Sequence, residues 1–306
     1  MDTINGEIRT DCIGYKDFPS HVGETVCMKG IIHRIREMTG FAFVIIRTAR
    51  ETVQCVYSPD FSDYRMGEEV TEGCSVKLTG KIVKDETREG RFEMQIHGID
   101  VLSSPSEQMP LVINKKQLDN IPIDLNLNLR PVTLRNPKER AVFKVQEGIA
   151  RGFREYLFSQ GFTEIRTPKI CAQGAEGGAN IFKLDYFGKQ VFLAQSPQFY
   201  KQMLVPVYER VFEIGPVFRA EHHDTSRHLN EYISMDFEMG FIDSFYDIMN
   251  METGALRYIM DLLKKDYAEE IALLNAQLPE VGEIPVVKFM DAKEIITKKF
   301  KKKITD

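Results

Sequence analysis

The sequence predicts an α+β protein: a small closed β-barrel, then a larger domain in which helices flank an antiparallel sheet. Three observations carry this. The first hundred residues read as five short strands between turn signals, an apolar helical period follows Asn136-Pro137, and residues 216–241 (PVFRAEHHDTSRHLNEYISMDFEMGF) alternate with period two. Helices mixed with an antiparallel sheet are the mark of α+β folds rather than doubly wound parallel sheets.

The predicted barrel strands are residues 25–36, 41–47, 53–57, 75–84 and 91–102, with turns at Thr39-Gly40, Ser58-Pro59 and Glu89-Gly90. Five short strands closed on themselves make an OB-fold the economical choice for residues 1–104. Ser103-Ser104-Pro105-Ser106 marks a boundary, and residues 105–136, with Pro110, Pro122 and Pro131, read as an irregular hinge. From 137 to 306 lies the second domain. Its first helix spans 138–160, with apolar positions 141, 142, 145, 149, 153 and 157 and a stop at Gly161. Strands follow at 163–166 and 190–194, then a helix capped by Ser196 with Pro197 as its first residue, then the alternating hairpin, then a helix over 245–267. The KKFKKK run at 298–303 reads as the exposed face of an amphipathic helix, since Ile295, Ile296 and Phe300 punctuate it.

Composition bounds the rest. A chain of 306 residues with 43% hydrophobic and 28% charged residues is that of a soluble globular protein, and 20 Phe and 11 Tyr supply core material in the absence of Trp. The five cysteines, Cys12, Cys27, Cys55, Cys74 and Cys171, are odd in number and scattered without a CxxC. They are expected as buried thiols in a reducing, cytoplasmic compartment rather than as disulfides or zinc ligands. The polar start MDTINGEIRTD is no signal peptide, and nowhere do 18 apolar residues run together to span a membrane. A net charge of −5 leaves a nucleic-acid partner open. There is no GxGxxG, no Walker loop and no internal repeat.

The hairpin concentrates the chemistry. If both strands run regularly, Arg219, Glu221, Asp236 and Glu238 share one face, with Arg227 and His228 in the loop. Mixed charge at this density suits a ligand that is itself both anionic and cationic. Upstream, GAEGGANIF sets Glu176 beside two glycines in a segment able to move, and QSPQFYKQ places Gln198 and Lys201 three apart on one helix face. Taken singly, each has a plain reading: a solvated hairpin, a flexible turn, a surface lysine.

Together, EGGANIF, QSPQFYKQ and FRAE…TSRHLNE…DFEM, in that order, resemble the class II aminoacyl-tRNA synthetases, and among them the aspartyl-tRNA synthetases of the archaeal and eukaryotic type. The resemblance runs from about Gly23 onward, with the helix at Lys138 in the place of motif 1 and the FRAE segment in that of motif 2. It implies ATP-dependent activation of L-aspartate and its transfer to tRNA-Asp, with tRNA-Asn as a further acceptor. Arg219 would grip the α-phosphate and the activated carboxylate. Glu221, Arg227, His228, Leu229 and Tyr232 would hold ATP, Tyr232 stacking on adenine. Glu176, Gln198, Lys201, Asp236 and Glu238 would hold aspartate, Lys201 taking its side-chain carboxylate. In the barrel, Phe43 would stack an anticodon base, with Gln54, Glu93 and His33 reading base edges. The taken-alone reading of Phe43 is barrel core, and that of His33 an exposed strand residue.

The resemblance also implies a homodimer built on motif 1, and Mg²⁺ held by residues beyond 306. The glycine-rich motif 3 and its arginine are expected beyond that point too, so the 306 residues read as catalytically incomplete, as a fragment or a shortened relative. Asparaginyl-tRNA synthetase is the near alternative, and a non-catalytic RNA-binding paralogue the distant one. Lys201 favours aspartate over asparagine, because an ammonium is matched to a carboxylate and wasted on a neutral amide.

Overall fold

Five strands, β1 (Thr25–Met38), β2 (Phe41–Arg47), β3 (Thr52–Tyr57), β4 (Ser75–Lys84) and β5 (Phe92–Ser103), close into a barrel in the order β1-β2-β3-β5-β4. The computed structural model describes residues 11–49, 51–107, 109–114, 121–174, 180–223, 225 and 228–301, and the chain forms two units, Met1–Arg140 and Ala141–Asp306. Alternation decides what the barrel buries: Ala42, Val44 and Ile46 of β2 point inward to meet Val53, Cys55, Val76, Leu78 and Ile82, while Phe41, Phe43, Ile45 and Arg47 face out. Gly80 of β4 sits where a Cβ would strike the Gln95 carbonyl, which is why the closely approached barrel wall needs glycine there.

One expectation fails in this unit. Cys12 and Cys27 form a disulfide, with Cα atoms 4.5 Å apart. The cause is backbone pairing: Cys12 bridges Cys27 in parallel, and Ile13 N donates to Cys27 O at 2.8 Å. Cys55 and Cys74 are buried thiols, while Cys171 is only partly buried. The hinge also holds more structure than its prolines predict, with α1 (Ile123–Asn128) and α2 (Arg130–Thr133). Asn136 then caps the next helix, its Oδ1 accepting from Lys138 N at 2.9 Å while Nδ2 donates to Ile113 O at 3.0 Å.

The second unit comprises α3 (Pro137–Ser159), β6 (Thr163–Glu164), β7 (Ile170–Cys171), β8 (Lys183–Tyr186), β9 (Lys189–Leu193), α4 (Gln198–Tyr208), β10 (Arg210–Phe218), β11 (Glu231–Met239), α5 (Phe245–Asp266), α6 (Ala268–Leu274) and α7 (Phe289–Phe300). Two three-stranded sheets form, β11-β10-β6 and β7-β9-β8. β10 pairs antiparallel with β11 and parallel with β6. Helices α3 and α5 pack closely, because a Cβ on Gly152 would lie 3.1 Å from Ile259 Cα; Phe153, Leu157, Phe212, Ile259 and Leu263 fill the core beside them.

Two apolar expectations are only half met. Val142 of α3 is exposed, and on β11 Phe237 and Met239 pack on the core while Ile233 and Met235 remain 53% and 41% exposed. The alternation reports a strand but not what covers each part of it. Helix α7 buries none of its side chains, and Lys298 and Lys299 sit in its last turn.

Candidate functional site

The site is built on the β10–β11 register. Tyr232, Ser234, Asp236 and Glu238 of β11 stand directly opposite Val217, Gly215, Glu213 and Val211 of β10, and directly opposed residues share a face. Onto this face α4 delivers Lys201. The helix starts where the Ser196 hydroxyl accepts the Gln198 N–H at 3.2 Å, one residue later than predicted, with Pro197 as the N-cap. Lys201 is 5% exposed, which overturns its reading as a surface lysine. Its Nζ lies 3.0 Å from Asp236 Oδ1 and 3.4 Å from Glu238 Oε2, and the Ser234 hydroxyl donates to the other Asp236 oxygen. Gln198 lies one turn earlier on α4, partly buried.

Beside this pair lies a second, which sequence reasoning missed. Glu213, 3% exposed and directly opposite Asp236, accepts from Thr167 N at 2.8 Å, Thr167 Oγ1 at 2.7 Å and Lys169 Nζ at 2.8 Å. Its signal was faint but present: a lone carboxylate in the apolar run VFEIGPVF, in phase with the charged positions further along. Three carboxylates thus share two ammoniums, and the surplus negative charge suits an incoming cation.

Arg219 and Glu221 fall beyond the strand rather than on its face, because β10 ends at Phe218. The ladder continues for one more bond, Arg219 N to Asn230 O at 2.9 Å, and then Glu221 N turns back to Arg219 O at 2.8 Å. Phe218 N also donates to Ala194 O at 2.9 Å, which brings the chain leading into α4 alongside Arg219. His228 is exposed, its Nδ1 2.7 Å from Thr225 Oγ1 and its ring 5.2 Å from that of His223. Leu229 is exposed and Tyr232 partly buried. Glu176 and Arg227 lie outside the described residues.

The barrel carries a separate outward face. Phe43 is not core: it points away from the buried row, edge-on to Phe41 at 5.2 Å, with the Arg36 guanidinium 5.7 Å from its ring centre. Gln54, opposite Ile45 on the neighbouring strand, donates to Glu93 of β5. Desolvation raises the Glu93 carboxyl above the usual range, ahead of the opposing pull of Gln54. His33 sits at the β1 bulge between Ile32 and Arg34, and burial followed by Arg47, Arg140 and Arg34 lowers it to about 4, so it is neutral at pH 7.

Comparison with known proteins places both units. Residues 122–304 match the family of class II tRNA synthetases (D, K and N), and residues 26–102 match the OB-fold nucleic acid binding domain. The chain is 43% identical to an aspartate–tRNA(Asp/Asn) ligase of Deinococcus radiodurans, covering 93% of this chain and 64% of that protein. It is 41% identical to one of Aeropyrum pernix, covering 96% and 67%. The chain therefore spans about two thirds of the length of these relatives. Among solved structures, asparaginyl-tRNA synthetase from Pyrococcus horikoshii, complexed with asparaginyl-adenylate, superposes with a TM-score of 0.84 at 26% identity, covering 96% of this chain and 68% of that one.

Proposed function

The chain belongs to the class II tRNA synthetases of the D, K and N group, and from that premise we propose that the protein is an aspartate–tRNA ligase. It activates L-aspartate with ATP and passes the aspartyl group to tRNA. The observation that carries this choice of amino acid is the buried Lys201 ammonium, held at the site by Asp236 and Glu238. A substrate side-chain carboxylate takes up this charge, while the surplus negative charge of the face receives the α-ammonium. A neutral amide leaves the lysine without a new partner.

In activation, an α-carboxylate oxygen of aspartate attacks the α-phosphorus of ATP, the bond to the bridging oxygen breaks, and pyrophosphate leaves. Arg219 stabilises the charge that develops on the α-phosphoryl oxygens. Glu221, Arg227, His228 and Leu229 border the nucleotide, Tyr232 stacks on adenine, and Gln198 and Glu176 complete the amino-acid pocket. Among the described residues no three acidic, histidine or cysteine side chains gather as a metal site. Family membership implies Mg²⁺ with ATP.

The barrel binds the anticodon, Phe43 stacking a base while Gln54, Glu93 and His33 meet base edges. Both tRNA-Asp and tRNA-Asn are acceptors; the double acceptor in the names of the relatives supports this. His33 supports it too, since a neutral imidazole both donates and accepts, whereas the loop KDETREG at 84–90 lacks a proline that would agree with it. The protein works as a homodimer through α3 and the exposed apolar residues of β11, and sedimentation at twice the monomer mass is the check on that. The decisive experiment for the activity is ATP–pyrophosphate exchange with the full-length enzyme: aspartate drives exchange, and exchange driven by asparagine alone would establish the asparaginyl alternative. Charging of the two purified tRNAs in parallel, with kcat/KM within about tenfold, tests dual acceptance.

A further inference from the structure

On the outward face of the barrel unit, a cavity of about 540 Å³ opens beside the β1 bulge, lined by His33, Arg47, Glu72, Met109, Leu111 and Arg135 among others. A second recess of about 420 Å³ adjoins it and shares Arg47, adding Lys29 and Arg140. Arg47 and Arg135 form no ion pair among the described residues. Arg47 Nε and His33 Nδ1 are both buried with no hydrogen-bond partner among the described residues. Among the described residues Arg135 donates only to the Pro131 carbonyl, at 3.1 Å, and to the Met109 thioether, at 3.5 Å. Of the two carboxylates at the rim, Glu72 is already engaged by Ile35 N at 3.2 Å and by Asn114 Nδ2 at 2.9 Å, and Glu107 is exposed.

Burial and the neighbouring Arg140 and Arg135 lower even the Arg47 guanidinium to about 10. A half-buried guanidinium whose Nε is buried without an acceptor is a costly arrangement that an anion relieves, and a planar fork of donors suits a phosphate. The position agrees. Arg47 lies on the same strand and the same face as Phe43, four residues and ~13 Å further along, within reach of a neighbouring nucleotide rather than of the stacked base itself. We propose that this cavity is a phosphate site, in which Arg47 and Arg135 hold a backbone phosphate of the RNA strand whose base stacks on Phe43; this rests on the reading of the barrel as an RNA-binding face.

The test uses the full-length protein and a synthetic anticodon stem-loop of tRNA-Asp, with affinity followed against salt. Arg47→Ala lowers affinity roughly tenfold or more at low salt and reduces the slope of log K against log salt by about 0.7–0.9, the signature of one lost phosphate contact. Arg47→Lys keeps the slope and loses part of the affinity. Phe43→Ala loses affinity with the slope unchanged. If the wild type fails to bind the stem-loop, the barrel reading itself falls. If it binds and Phe43→Ala weakens it while Arg47→Ala leaves affinity and slope intact, the phosphate site falls alone. Inorganic phosphate alone is the second arm: stabilisation of the wild type but not of Arg47→Ala, with RNA binding unaffected by the change, makes the site one for a free anion and overturns the strand assignment. Should Arg47→Ala melt early, Arg135→Ala takes its place with the same expected loss of slope.

Discussion

Lys201 on α4 and Asp236 on β11 form an almost buried ion pair, Nζ to Oδ1 at 3.0 Å, and Glu238 adds a second carboxylate 3.4 Å from the same ammonium. Helix and hairpin are thereby locked together at the point where the substrate is proposed to bind. The ammonium is held in place before any ligand arrives, so its orientation need not be organised at the moment of binding.

Lys201→Ala should therefore act twice. It leaves Asp236 and Glu238 adjacent without their cation, costing on the order of 1–3 kcal/mol of stability, and it removes the partner of the substrate carboxylate. The aspartate KM in pyrophosphate exchange should rise and the preference for aspartate over asparagine should fall. An unchanged preference would show that the side chain is a strut and not a substrate ligand.

Glu213 and Lys169 form the neighbouring pair on the same face, and stability reads out its coupling. Glu213→Gln leaves the partly buried Lys169 ammonium without its carboxylate, and breaking such a pair from one side costs roughly 3–5 kcal/mol. The double variant Glu213→Leu with Lys169→Met should recover much of that loss, because it removes both charges together. Urea denaturation of the wild type, Glu213→Leu, Lys169→Met and the double variant closes the cycle. If the double variant is as unstable as the sum of the singles, the pair is not coupled as the 2.8 Å contact implies.

What the sequence made legible follows from which physical signals are local. The barrel strands were readable because Ala42, Val44 and Ile46 alternate with outward neighbours, and period two follows from the pleat alone. Lys201 looked like a solvated lysine until β11 supplied two carboxylates from 35 and 37 residues away. Thr167, Lys169 and Glu213 were missed for the same reason: their bonds span up to 46 positions, and Glu213 hides in an apolar run. The Cys12–Cys27 bond depends on backbone pairing that cysteine spacing does not encode. Helix α1 is hidden in a segment whose prolines and asparagine-rich DLNLNLR read as irregular, and its Leu125 and Leu127 are exposed rather than core. Ile233 and Met235 show the converse limit, since a correct strand assignment did not tell which half of its apolar row meets the core.

Arg219 tests the chemistry. If its guanidinium stabilises charge on the α-phosphoryl group, Arg219→Ala in the full-length enzyme should lower the exchange rate by about 10²–10³. Far-ultraviolet circular dichroism should be unchanged, because the hairpin is held by the Arg219 backbone N–H to Asn230 O, which alanine retains. Near-normal adenylate formation by the variant would remove Arg219 from the reaction.

His33 gives the pH dependence a definite sign. Burial, then Arg47, Arg140 and Arg34, hold its imidazole at about 4 in the folded chain, against about 6.5 when unfolded. Between these two values the unfolded chain binds a proton that the folded chain does not, so this group makes stability fall as pH falls through that window. Above it both states are neutral, and below it both are protonated, so the contribution is level at either end. His33→Gln deletes the term. The difference in urea midpoint between wild type and His33→Gln should be constant above neutrality and shift steadily against the wild type from about pH 6.5 down to about 4, while contributions from groups remote from the bulge cancel. An anion seated against Arg47 stabilises the protonated imidazole and so raises its folded-state value, so added phosphate should shrink that loss and end it at a higher pH in the wild type, with no such effect on His33→Gln. A midpoint difference that stays flat across the whole range would mean that the three arginines do not act on His33 as their placement requires.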